Sequence, residues 1–170
     1  PATTVADTPT TTAATPTTEA ARTEVDVTTA YGGDDTVPFD PQRVVVLDYA
    51  VLDTLDALGL GDRVVGVPSG TPVPPHLSAY ADLENVGNLF EFDLETINAL
   101  EPDLIIVGGR SNGLEPDMEE IAPAVDITFN WGSEPFIESL EMNTAAIGKI
   151  FGIEEEAQEA VDEINAAAED

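Results

Sequence analysis

Apolar residues fall along this chain in two alternating periods. Residues 43–48, RVVVLD, form a continuous β-branched run, the pattern of a strand buried on both faces, as in a parallel sheet. Residues 63–68 (RVVGVP), 104–109 (LIIVGG) and 125–130 (VDITFN) repeat it. Between these runs the period becomes helical. Val51, Leu52, Leu55 and Leu58 share a face, and Gly59 and Gly61 stop that helix. Leu94, Ile97 and Leu100 line a second helix over 93–103, opened by Asp93 as N-cap and ended by Pro102. Glu115-Pro116 opens a third, to about Ile121, with proline in its first turn. Residues 134–150 predict a long amphipathic helix ending at Gly152, and 153–170 a charged one. Ahead of all this, 23–28 alternates as a strand, YGGDD (31–35) turns, and VPFDP returns extended. Residues 85–87 suggest a minimal strand, and HLSAYADL a short helix or turn.

Strands alternating with helices over short links predict an α/β fold: three layers, with a mostly parallel sheet and helices on both faces. Such sheets bind ligands at the carboxyl ends of their strands. The loops there begin at Asp48, Pro68, Gly108 and Asn130, so function is to be sought in them.

Residues 1–22 differ from the rest. Nine Thr, six Ala and three Pro make up 18 of the 22, and no apolar period is present, which predicts a disordered linker. A compact unit is expected from residue 23. With 34 acidic and 5 basic residues the net charge is −29. Such a surface repels nucleic acid and anionic membranes. Solubility, or adaptation to salt or to an acidic cell surface, is the expected reason for the acidity, with a specific basic partner as the alternative. With no Cys, disulfides, thiolate metal sites and Cys nucleophiles are excluded for these residues. Asp34-Asp35 follows Gly32-Gly33 but lacks the remaining positions of a calcium loop, so it predicts a hairpin turn.

The segment GGRSNG (108–113) invites two nucleotide motifs and fits neither. A dinucleotide fingerprint needs glycine where Arg110 stands. A phosphate loop needs Lys and Ser/Thr where Leu114 and Glu115 stand. Arg110 itself sits in a strand-to-helix loop at the predicted binding edge, where a guanidinium suits planar anionic oxygens. The competing expectation is a surface salt bridge with Glu115 or Asp117. Asp48 is expected as the N-cap of the helix at 49–58, with a general base as the alternative. His76, the single histidine, is flanked by prolines and expected on a loop surface. Trp131 and Phe129 line either a ligand or the core. No Asp/Glu–His–Ser arrangement can be assembled, and nothing in the residues argues for an enzyme.

Taken in order, RVVVLDYAVLDTLDALGLGDRVVGVP, NVGNLFEFDLETINALEPDLIIVGGR, IAPAVD and NTAAIGKIFG resemble the substrate-binding proteins of iron-complex ABC importers. The nearest likeness is to receptors for catecholate siderophores such as petrobactin and enterobactin, over residues 23–170. The resemblance implies a two-lobed protein with a helical hinge, and a ferric complex held in the cleft between lobes. Residues 23–152 would be the N-terminal lobe and 153–170 the start of the interlobe helix. The second lobe would lie beyond residue 170, and one exposed arginine would then bind ferric catecholates weakly by itself.

The resemblance also places Arg110 at the family's cleft arginine. With it, Tyr49, Asp48, Thr71 and Trp131 would line the ligand site. Related proteins often carry lysine in the loop where Ser69 and Thr71 stand here. Iron would arrive with the siderophore, so neither protein metal ligands nor a cofactor is expected. Partners would be the ferric siderophore and an ABC permease/ATPase complex, docked through Glu115 and Glu119. A monomer is expected at the outer face of the cell membrane or in the periplasm, held by a lipid anchor outside these residues. Haem or cobalamin on the same fold is the alternative ligand. The competing classes are an enzyme on a flavodoxin-like sheet with Asp48 as base, and an adhesion module on a Thr/Pro stalk.

Overall fold

The computed structural model describes residues 22–69, 73–129 and 136–168. A two-stranded hairpin comes first, β1 (Glu24–Thr29) and β2 (Gly33–Pro38), antiparallel with Thr29 opposite Gly33. Then follow β3 (Val44–Val46), α1 (Tyr49–Ala57), β4 (Val64–Val67), β5 (Glu84–Asn85), the small strands β6 (Gly87–Asn88) and β7 (Glu91–Phe92), and α2 (Leu94–Ala99). The chain continues with β8 (Leu104–Val107), α3 (Glu115–Glu119), β9 (Ala124–Asp126), α4 (Phe136–Phe151) and α5 (Glu154–Ala168). Short 3-10 segments occupy Gly61–Arg63, Pro75–Tyr80 and Gly109–Leu114, the second kinked at Leu77.

Five strands make one parallel sheet in the order β5-β4-β3-β8-β9. Every residue of β3 and β8 is buried, and their side chains still alternate between faces. Val44, Val46, Leu104 and Ile106 pack with α1 and α4, through Val51, Leu52, Leu55, Ile147 and Ile150. Val45, Leu47, Ile105 and Val107 pack on the opposite face with Ile97 of α2 and Met118 of α3. Each fully buried side chain of this kind contributes about 1.5–3 kcal/mol. The three-layer expectation is therefore met. A layer of helices needs an apolar strand face on each side, and the continuous β-branched runs supply both.

Helix starts follow the local sequence. Asp48 Oδ1 accepts from the N–H of Ala50 (2.8 Å) and of Val51 (3.3 Å), capping α1. Asp93 Oδ1 accepts from Thr96 N at 3.0 Å and caps α2. Those bonds hold its carboxyl below the usual range.

Several boundaries differ from the sequence pattern. The turn expected over 31–35 is shorter, because β2 already begins at Gly33. Asp34 and Thr36 face water while Val37 is buried against the core, so the acids belong to a half-exposed strand. The helix expected to be ended by Pro102 already ends at Ala99, and the strands at 43, 104 and 125 are each shorter than their apolar runs. The residual apolar positions, Leu47 and Ile127, are buried beyond the ladders.

A buried amide helps fix the hairpin, whose Val25, Val27 and Val37 also pack into the core. Asn143 of α4, fully buried, accepts from Ala30 N at 2.9 Å and donates to the carbonyl of Thr128 at 2.8 Å. Its position in mid-helix would otherwise be unfavourable, and the two bonds satisfy it.

Candidate functional site

The connections leave β3 in one direction through β4 to β5, and resume on its other side at β8 and β9. The strand order thus reverses between β3 and β8, and a crevice opens at their carboxyl ends. From β3 the chain delivers Asp48 and Tyr49 to that edge; from β8 it delivers Gly108, Gly109 and Arg110. A hollow of about 170 Å³ lies there, lined by Asp48, Tyr49, Ala50, Leu89, Gly109, Arg110 and Phe129.

The two glycines are required by the closeness of α1. Gly109 adopts φ +54°, and a Cβ on it would stand 2.8 Å from Asp48 Oδ2. The turn that follows is pinned from both sides. Ser111, buried, accepts from Gly108 N at 2.9 Å. Gly109 N donates to Thr128 Oγ1 at 2.9 Å, and that hydroxyl donates to Asp126 Oδ1 at 2.5 Å. Asp126 is buried, which raises its carboxyl pKa; the Thr128 bonds oppose that rise and the nearby Asp48 adds to it.

Arg110 is exposed on this anchored turn. Among the described residues it makes no ion pair, so the expected salt bridge to Glu115 or Asp117 does not form. Its guanidinium instead lies over the ring of Phe90, 5.5 Å from the centroid, within cation–π range. Phe90 occupies the two-residue connection between β6 and β7 and is 81% exposed. Asn88 Oδ1 holds that turn by accepting from the N–H of Phe90 (2.9 Å) and of Glu91 (3.2 Å).

The structure gathers three of the expected ligand-site residues, Arg110, Tyr49 and Asp48, around one hollow. Tyr49 donates its hydroxyl to the carbonyl of Pro68 at 2.6 Å, tying α1 to the loop after β4. The other two, Thr71 and Trp131, lie outside the described residues. Phe129 is buried and serves both the core and the hollow. Asp48 is engaged as an N-cap, and His76 stands with Asp53 at 3.0 Å on the exposed surface. Neither meets the other in an acid–base pair. Phe90, Leu89, Thr128, Asp126 and Asn143 were not singled out by the sequence pattern. The signal for Phe90 was two consecutive apolar residues, Leu89-Phe90, between an Asn-rich turn and the α2 cap.

Glu115 and Glu119, on α3, do not line the hollow. Glu119 is exposed and Glu115 half-buried. Burial, and then Asp35, Asp126 and Glu119, raise the Glu115 carboxyl, while a backbone bond from Asp126 partly offsets this. Burial raises Asp35 as well, with Glu119, Asp126 and Asp34 adding to it. Among the described residues no cluster of three His, Cys, Asp or Glu is arranged to hold a metal, and no helix is long and apolar enough to cross a membrane.

The described residues thus form an open parallel sheet whose switch point carries Arg110, which makes no ion pair among them. The periplasmic binding protein family matches residues 44–170, and the chain belongs to that family. It is 36% identical over 131 residues to the petrobactin-binding protein YclQ of Bacillus subtilis (strain 168), covering 76% of this chain and 40% of that protein. The crystal structure of YclQ superposes with a TM-score of 0.76 at 33% identity, over 84% of this chain and 50% of that one. The periplasmic catecholate-siderophore binding protein VctP of Vibrio cholerae gives 0.76 at 30% identity, over 84% and 50%. The Fe(3+)-citrate-binding protein YfmC of Bacillus subtilis (strain 168) is 30% identical over 135 residues, 77% of this chain and 41% of that protein. The chain therefore spans about half, or less, of the length of these relatives.

Proposed function

We propose that this chain is part of the substrate-binding component of an ABC importer and that its ligand is an anionic ferric siderophore of catecholate type. The observation that carries the reading is Arg110. It is one of only four basic residues after position 22. It is held without an ion pair among the described residues, at the switch-point edge of a rigid sheet. An anionic chelate supplies the charge partner that the described residues do not. Tyr49 and Phe129 add aromatic surface beside it, and Asp48 fixes the start of α1. Iron arrives as part of the ligand, and no residue acts as a catalyst.

On the same reading residues 23–152 form the N-terminal lobe and α5 begins the helix to a second one. A lipid anchor holds the protein at the outer face of the cell membrane or in the periplasm. The protein acts as a monomer. The permease docks at the α3 face through Glu115 and Glu119; an exchange of Glu119→Lys that leaves transport unchanged would remove that assignment.

The test of the ligand site is a titration of the chain with the gallium(III) tris-catecholate complex, a diamagnetic stand-in for iron, followed by amide NMR. Shifts are expected at Tyr49, Gly109 and Arg110. Arg110→Ala should weaken binding by about 1 kcal/mol or more, the scale of a charge-assisted hydrogen bond. An unchanged dissociation constant in that variant would overturn the reading.

A further inference from the structure

Phe90 is out of place by ordinary packing rules. Phe129 and Phe151 are 6% and 5% exposed, whereas Phe90 is 81% exposed. It sits at a tight turn, a position that usually takes polar residues or glycine. Nor is the turn loose. Gly87, at φ +107°, lets the backbone of β6 pass close to Glu91 and Phe92, where a Cβ would stand 2.5 Å from the Glu91 carbonyl. Asn85 Oδ1 accepts from Gly87 N at 2.9 Å and from Ser69 N at 3.2 Å, and Asn88 pins the far side. A hydrophobic side chain is thus held out in water on a braced support, with its ring under the guanidinium of Arg110.

We propose that Phe90 and Arg110 form one recognition unit that selects chelators with aromatic rings over aliphatic ones. The inference rests on the function proposed above and adds the ligand feature that this chain reads. A guanidinium within cation–π range of a ring keeps N–H donors for oxygens and leaves apolar surface alongside. A catechol ring offers adjacent anionic oxygens to that edge and a flat face to Phe90 and Leu89. A polycarboxylate such as citrate offers the oxygens alone, so it can use Arg110 but gains nothing from the ring. Family membership does not decide between them, since relatives named for petrobactin and for Fe(3+)-citrate match 131 and 135 residues of this chain.

The experiment titrates the chain with two diamagnetic probes, gallium(III) tris-catecholate and gallium(III) citrate, reading amide shifts at residues 89, 90 and 110. Phe90→Leu keeps the apolar bulk and removes the π face; Phe90→Trp keeps both. Phe90 is exposed, so both variants should retain the spectrum of a folded chain. The preference for the catecholate over the citrate complex should fall about three- to tenfold in Phe90→Leu, the range of an aromatic pair. It should persist in Phe90→Trp. If wild type prefers catecholate and loses it with Arg110→Ala, but Phe90→Leu leaves the preference unchanged, the recognition unit is refuted and the proposed function stands. If wild type binds neither complex, both fail together.

Discussion

The N–H of Gly109 donates to Thr128 Oγ1 at 2.9 Å, and Thr128 passes the contact on to Asp126. The exit of β8 is thereby fastened to the exit of β9, one residue before the cation. Thr128→Val keeps the shape of the side chain and deletes both bonds. Gly109 loses its acceptor, and buried Asp126 loses its hydroxyl donor while keeping the backbone bond from Thr128. A cost of about 1–3 kcal/mol in denaturant unfolding is expected from such unsatisfied groups. Thr128→Ser should recover most of it. A Thr128→Val protein as stable as wild type would show that the relay does not hold the turn.

Gly109→Ala tests the other constraint on the same turn. The left-handed backbone at φ +54° costs a non-glycine residue about 1–2 kcal/mol. The new Cβ would also press on Asp48 Oδ2, whose partner oxygen caps α1 through Ala50 and Val51. Asp48 can yield only by weakening that cap. The expected loss is therefore larger than strain alone, and α1 should show faster amide exchange in its first turn. Unchanged exchange at Ala50 and Val51 would mean that Asp48 does not move.

The sheet and the cation were legible because both depend on local patterns. Val44–Val46 and Leu104–Val107 are continuous β-branched or aliphatic runs, and only a strand covered on both faces can bury them. Arg110 was conspicuous because so few cations compete with it. Phe90 was hidden because β6 and β7 are two residues each, too short for any period to register. Their geometry depends on a positive-φ glycine and two asparagine side chains. Asp126 was hidden for another reason. Aspartate is ordinarily read as a surface residue, and its burial is tolerated here by Thr128, a partner that only the folded β9 exit supplies. The YGGDD turn was placed too late for a related cause. Polar Asp34 and Thr36 belong to the outer face of a strand whose inner face holds Val37.

Asp35, Glu115 and Asp126 all carry raised carboxyl pKa values, with Asp126 adding to the rise at the other two. Burial is the largest cause for each, so each has a folded pKa above its unfolded value. Between neutral pH and the ordinary carboxylate range the folded chain therefore binds more protons than the unfolded one. Stability then rises as pH falls through that window. Asp93 works the other way, because its cap bonds lower its pKa. Its contribution is lost only as pH falls through and below the ordinary range, near about 4. The melting temperature should accordingly climb from about pH 7.5 to about pH 5 and turn over below that. Asp126→Asn keeps an acceptor for Thr128 while removing a buried charge. That variant should melt higher than wild type at about pH 7.5 and show a flatter rise on acidification. A wild-type melting temperature that falls steadily over the same interval would show that these carboxylates impose no strain on the fold.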